Sequence, residues 1–285
     1  MAIFTNQATL TYNGNVVNSN ITTGELMEVL SATKIAVLES YSRGSDVTYA
    51  INIVNSAATA YSGLTITDNL GAYTFNTTTL VPMDYVADSV RYYVNGVLQA
   101  SPAVTAGPPL VFSGITVPAG GVATILYVAR ANQFAPLDQT DTINNTATIG
   151  SPEISDITVT ESISPENQAE LNIIKTMSPT TITENGRLTY TFTIQNTGNT
   201  EATVTDAVSV SDIFNPILTD LSVTFNDTSW VSPTNYTYSE TTGAFSTVAG
   251  QITAPAATYT QDPTTGDWII EPGISVLTVT GTINV

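Results

Sequence analysis

The stretch Val47-Thr48-Tyr49-Ala50-Ile51-Asn52-Ile53-Val54-Asn55 returns about half a chain later as Leu188-Thr189-Tyr190-Thr191-Phe192-Thr193-Ile194-Gln195-Asn196. Apolar and polar residues alternate with period two in both copies, and each ends at an asparagine before small residues. That pattern is a half-buried strand running into a turn. Further pairs follow in the same order. Leu64-Thr65-Ile66-Thr67-Asp68 matches Val208-Ser209-Val210-Ser211-Asp212, and Val90-Arg91-Tyr92-Tyr93-Val94 before Asn95-Gly96 matches Val223-Thr224-Phe225 before Asn226-Asp227. Pro118-Ala119-Gly120-Gly121 before Ala123–Val128 matches Pro272-Gly273 before Val276–Val279. Short strands with turn residues between them, repeated as a set, predict an all-β chain of two tandem immunoglobulin-like β-sandwich domains.

The expected division is an N-terminal segment over 1–27, a first domain over 28–163 and a second over 164–285. The boundary falls at the polar, proline-containing run Ser162-Ile163-Ser164-Pro165-Glu166-Asn167. Gly24–Leu30 is the nearest thing to a helical stretch, and it is short.

Composition narrows the function. A net charge of −18 argues against nucleic acid and against anionic membrane surfaces, both of which select lysine and arginine. With no cysteine and no histidine, disulfides, Ser-His-Asp and Cys-His machinery and nearly every zinc site are ruled out. No pair of acids can be assigned to a cleft, so no catalysis on an external substrate is expected, and no cofactor. No stretch is long and apolar enough to span a bilayer, and residues 1–6 lack the regions of a signal peptide. Either another export route or removal of a leader fits that start.

The ordered set Leu171-Asn172-Ile173-Ile174-Lys175, Gly186, Leu188-Thr189-Tyr190, Asn196-Thr197-Gly198-Asn199 and Asp212 resembles the DUF11 repeats of bacterial surface proteins. The resemblance implies immunoglobulin-like stalk, adhesin or surface-layer modules. The first copy departs from it at Asn55-Ser56-Ala57-Ala58, where the Asn-Thr-Gly-Asn turn is absent.

The two copies end differently. After Ala123–Val128 the first continues through Ile143-Asn144-Asn145-Thr146-Ala147-Thr148-Ile149 and Ile157-Thr158-Val159, whereas the second has no counterpart after Val276–Val279. That counterpart stands at the other end of the chain. Phe4-Thr5-Asn6-Gln7-Ala8-Thr9-Leu10 matches Ile143–Ile149 position for position, and Ile21-Thr22-Thr23 resembles Ile157-Thr158-Val159. Residues 3–23 are thus expected to complete the second domain of a neighbouring copy by strand addition, with Phe4, Asn6, Ala8 and Leu10 on the donated strand. A head-to-tail contact of this kind gives a homopolymer. Folding back onto the same chain, or loss of the closing strand from a longer array, are the other two readings. The expected function is a subunit of an extracellular filament on a cell or spore surface, with an adhesin or stalk segment as the alternative.

The only lysines, Lys34 and Lys175, precede Tyr49 and Tyr190 by the same distance. This arrangement resembles the Gram-positive pilin and adhesin domains that form Lys–Asn isopeptide bonds. The resemblance implies Lys34, Asn145 and Asp68 in the first domain, and Lys175, Asp212 and Asn6 of a donated strand in the second. The plainer reading is that each lysine guards a sheet edge and each aspartate organises a turn. Asp138, Asp141 and Glu153 lack the fixed spacing of a calcium loop, and no metal site is expected. Trp230 and Trp268 are read as packing residues rather than carbohydrate platforms. Asn20-Ile21-Thr22 and Asn76-Thr77-Thr78 match glycosylation acceptors, as chance permits in so Asn- and Thr-rich a chain.

Overall fold

The computed structural model describes residues 2–26, 29–152 and 154–283. Among them the regular structure is strand, apart from one 3-10 turn at Val204–Asp206. Of the stretch expected as a weak helix, Gly24–Leu26 belong to the strand Thr22–Leu26 and Leu30 opens the strand Leu30–Ala36, while residues 27 and 28 lie outside the described ones.

A first core lies between two sheets. One runs in spatial order Val97–Leu98, Arg91–Val94, Val122–Ala131, Asp46–Asn55, Leu30–Ala36. The facing sheet runs Ala103–Thr105, Leu110–Val117, Tyr61–Asp68, Ile143–Ser151, Ile154–Pro165, Ser40–Tyr41. Period-two alternation turns Tyr49, Ile51 and Ile53 inward from the first sheet and Ile66, Phe112 and Ile149 from the second. This is a β-sandwich whose two inner faces interdigitate.

A second core is built the same way but is less complete. Its main sheet runs Leu171–Ser178, Arg187–Asn196, Gly273–Ile283, Leu218–Phe225, Thr228–Trp230. Facing it is a sheet of three strands, Ser211–Ile213, Ala244–Thr247 and Tyr236–Tyr238. Phe214 anchors the interior, stacked on Tyr190 at 4.9 Å and tilted against Phe245 at 5.3 Å. Of the expected Val208–Asp212 strand, only Ser211 and Asp212 are in a ladder.

Register makes the two cores comparable. Lys34 pairs with Ile51 and Lys175 with Phe192, the corresponding residues of the opening repeat. The asparagines that end the repeat also do the same job. Asn55 Nδ2 donates to the carbonyls of Thr59 and Pro118, and its Oδ1 accepts from Ala57 N. Asn196 Nδ2 donates to Thr200 O and Pro255 O, and its Oδ1 accepts from Gly198 N. The missing Asn-Thr-Gly-Asn turn in the first copy therefore changes the loop residues without changing the clamp. A Cβ at Gly198 would stand 2.1 Å from Gln168 O, so this close backbone approach needs glycine in the second copy. Asn55 is buried, and Asn55→Ala would strand several carbonyls and one N–H. The expected loss is about 2–3 kcal/mol, read as a lower denaturation midpoint at unchanged slope.

Residues 2–26 belong to neither core. Ala2–Asn6 pairs antiparallel with Thr22–Leu26, and Thr9–Tyr12 with Asn15–Asn18. The turn at Asn13-Gly14 has positive φ at both residues, 47° and 80°, as a type I′ hairpin requires. The N-terminal element is thus a two-stranded hairpin. Its register corrects one correspondence. Leu10 faces Val17 as Ile149 faces Ile157, so Val17, not Ile21, occupies the place of Ile157.

Candidate functional site

In the first core the polar residues singled out in the sequence meet inside the sandwich. Lys34 projects inward from the edge strand of one sheet, Asp68 from the middle of the other, and Asn145 from the adjoining Ile143–Ser151 strand. Lys34 is 5% exposed, and Asp68 and Asn145 are fully buried. Lys34 Nζ donates to Asp68 Oδ2 at 2.7 Å. The same oxygen accepts the phenolic proton of Tyr127 at 2.6 Å, and Tyr127 Oη accepts from Asn145 Nδ2 at 3.1 Å. Asp68 Oδ1 also accepts from Leu70 N at 2.9 Å, so the turn-organising reading of this aspartate holds alongside its ion pair. An outward charge guarding the sheet edge does not describe Lys34, which points into the core.

Burial dominates the electrostatics. Desolvation brings the Lys34 ammonium down to about 8, against the opposing pull of Asp68 and a smaller one from Glu161. Tyr49 and Tyr127 flank the amine, with ring centroids 4.9 and 5.9 Å from Nζ. Burial raises both phenols, Tyr127 well above the usual range. Asn145 Oδ1 is buried and has no hydrogen-bond partner among the described residues. An amine that burial makes easier to deprotonate, a carboxylate on it and a carboxamide whose oxygen has no partner among the described residues are the groups that amide exchange needs.

The second core holds a more exposed counterpart of the Lys34–Asp68 pair. Lys175 Nζ is paired with Asp212 Oδ2 and lies 4.4 Å from the Tyr190 ring centroid. The Lys175 side chain is nonetheless 41% exposed, where that of Lys34 is 0%. The reason is what covers each strand. Leu30–Ala36 has Ile154–Pro165 beside it, whereas inward-facing Leu171, Ile173 and Met177 are exposed. On the facing sheet, Tyr61–Asp68 has neighbours on both edges, but Ser211–Ile213 has one ladder partner among the described residues. Exposed apolar side chains and a strand edge without a second ladder partner among the described residues are therefore joined by the Lys175–Asp212 pair.

Asn6, the third member expected there, sits in the exposed hairpin opposite Thr22. Among the described residues no hydrogen bond joins it to Lys175 or Asp212. Phe4, Ala8 and Leu10 are exposed as well, Phe4 at 59% and Leu10 at 63%.

The weaker candidates resolve into packing and turns. Trp230 packs on Phe225 at 5.0 Å. Trp268 lines a cavity of about 330 Å³ with Tyr73, Pro136 and Asp141, and its backbone N–H donates to Gln133 O. Asp138 Oδ1 accepts from Thr140 N, and Asp141 Oδ2 from Asp138 N; Glu153 lies outside the described residues. Among the described residues no three acidic side chains gather as a metal site, and no helix is long and apolar enough to cross a membrane.

Sequence reasoning missed Tyr127. A tyrosine at an inward position of a core strand reads as packing, and nothing in its neighbours marks the hydroxyl as part of the cluster.

No family model matches the chain, and no curated protein matches it. The DUF11 resemblance rests on the residues quoted for it. Among solved structures, the chain is similar to the pilus backbone protein RrgB of Streptococcus pneumoniae, at 12% identity and a TM-score of 0.36 over 85% of this chain and 55% of that one. It is similar to BcpA, the major pilin subunit of Bacillus cereus, at 10% identity and a TM-score of 0.35 over 98% of this chain and 74% of that one. A third likeness is to the collagen-binding domain of a Staphylococcus aureus adhesin, at 11% identity and a TM-score of 0.31 over 49% of this chain and 99% of that one. The chain spans about half the length of the pneumococcal protein.

Proposed function

We propose that this chain is the structural subunit of an extracellular bacterial filament, with one sandwich domain over 28–163, a second over 164–285, and an N-terminal hairpin that completes the second domain of the next subunit. The observation that carries the reading is a match between surplus and deficit. The first core closes with the hairpin Ile143–Ser151 and Ile154–Pro165, and the second lacks such a hairpin among the described residues, while residues 2–26 form one whose strands ladder only with each other among the described residues. The inward positions correspond: Phe4, Asn6, Ala8 and Leu10 stand where Ile143, Asn145, Ala147 and Ile149 are buried. An isolated two-stranded hairpin is marginal in water, which favours a hairpin that docks. Added to the edge at Ser211–Ile213, it would satisfy open backbone groups and cover Leu171, Ile173 and Met177.

In the same reading the buried cluster is self-linking. Lys34 Nζ condenses with Asn145 Cγ, Asp68 holds the ammonium proton in transit, and ammonia leaves with it as ammonium. Asn6 of the docked hairpin would meet Lys175 and Asp212 in the equivalent geometry and fasten subunits covalently. Electron microscopy of the purified protein tests the filament. Fibres that resist boiling in detergent are expected. Discrete particles would instead favour a stalk or adhesin segment.

A further inference from the structure

We propose that Tyr127 is a catalytic residue of the self-linking reaction, a relay that carries a proton from Asp68 to the nitrogen leaving Asn145. The inference rests on the Lys34–Asn145 condensation proposed above. Its ground is a continuous line of short contacts. Tyr127 Oη is 2.6 Å from Asp68 Oδ2, to which it donates, and 3.1 Å from Asn145 Nδ2, from which it accepts. The phenol therefore bridges the acid and the one atom that has to depart. All three side chains are fully buried, so bulk water does not reach the gap between them. Tyr127 is also held in place, stacked on Tyr49 at 5.4 Å and tilted against Phe112 at 5.4 Å.

The steps balance with these groups alone. The Lys34 ammonium gives a proton to Asp68, and the free amine attacks Asn145 Cγ, placing negative charge on Oδ1. An amide nitrogen leaves only once it is protonated. Tyr127 passes its own proton to Nδ2 and recovers one from Asp68 as it does so, with no phenolate left behind. The attacking nitrogen then returns a proton to Asp68. The Cγ–Nδ2 bond breaks, the carbonyl re-forms, and ammonia departs with that last proton as ammonium. One Nζ–Cγ bond is made, one Cγ–Nδ2 bond is broken, Asp68 ends as carboxylate, and nothing is oxidised. Burial of the phenol well above its ordinary range agrees with a group that exchanges protons without ionising.

The second core shows what the relay adds. Tyr127 pairs with Tyr49 across the ladder, and the residue paired with Tyr190 is Val279. Lys175 and Asp212 thus have no phenol at this register position, and the link between subunits is expected to form more slowly than the link within one.

The test follows the full chain after a short pulse of cell-free synthesis, sampled over time by intact mass. Wild type is expected to lose about 17 Da as ammonia leaves. Tyr127→Phe, which keeps the ring and its stacking, is expected to do so at least ~100-fold more slowly, the lower range for a lost acid–base group. Tyr92→Phe removes another phenol of the same core, one bonded to Thr116 O, and is expected to react at the wild-type rate. Circular dichroism and the melting temperature check folding. Should Tyr127→Phe fold poorly, 3-fluorotyrosine at position 127 keeps the hydroxyl, and a rate that changes with phenol acidity supports the relay. Loss of ammonia from folded Tyr127→Phe at the wild-type rate, or a rate indifferent to fluorination, overturns the relay and leaves the condensation standing. A wild-type chain whose mass never falls removes the condensation and the relay together.

Discussion

Deleting residues 2–26 is expected to abolish fibres while leaving a folded, soluble chain. Residues 3–25 are absent from both hydrophobic cores, so their removal takes no core packing from the chain. It removes the apolar side chains that would fill the groove. Burying Phe4, Leu10 and Val17 would each contribute about 1.5–3 kcal/mol to association, before the ladder hydrogen bonds are counted. A synthetic peptide of residues 2–26 should bind the truncated chain one to one and raise its melting temperature. Phe4→Asp combined with Leu10→Asp should reproduce the deletion, because a carboxylate in an apolar groove has no partner. Fibres formed by the truncated chain would end the donation hypothesis.

Asn145→Ala is expected to keep the mass of the first domain at its sequence value and to lower its stability sharply. The variant keeps the Lys34–Asp68 pair and lacks the acceptor carbon together with the hydrogen bond from Nδ2 to Tyr127 Oη. A covalent bond from position 34 to 145 closes a loop of roughly 110 residues, and the chain-entropy treatment of a cross-link of that length gives about 4–5 kcal/mol. In a domain of this size that is a drop of roughly 10–20 °C in melting temperature. An unchanged melting temperature and equal masses for variant and wild type would show that no bond forms in either.

The same variant exposes the titration of Lys34. Its amine lies at about 8 in the folded state and at the ordinary 10.5 when unfolded. Between those values the unfolded chain binds more protons, so stability rises with pH. An increase from pH 8 to about 9.5 is expected in Asn145→Ala, before the tyrosines titrate in the unfolded chain. Wild type, once its amine is in the proposed amide, should show no such rise. A flat profile in Asn145→Ala would mean that burial does not destabilise the ammonium.

The repeat was legible because inward residues of a sandwich must alternate, and Tyr49, Ile51 and Ile53 recur as Tyr190, Phe192 and Ile194. Lys34 was legible as one of two lysines standing at the same distance before a repeat tyrosine, and Asp68 and Asn145 only through the resemblance to isopeptide-forming domains. The N-terminal strand was legible in the match of Phe4–Leu10 to Ile143–Ile149, but the register of its hairpin was not. Two ladders offset across Gln7-Ala8 and Ser19–Ile21 put Val17 in the place expected for Ile21, and such an offset leaves no mark in composition. The short Ser211–Ile213 strand was overestimated because alternation at Val208–Asp212 says nothing about whether a partner strand is at hand. Tyr127 was illegible, since its hydroxyl differs from phenylalanine only through what other strands bring to it.

Hairpin and groove are unlike surfaces carried by the same molecule, so a row of subunits has a direction. One extremity would always present an unused hairpin and the other an unfilled groove. Growth, anchoring and termination then become separable events, each acting on a different tip. A chain without residues 2–26 could accept a hairpin but offer none, and would act as a stop. Added in small amounts to intact subunits, it should shorten fibres in proportion to its share.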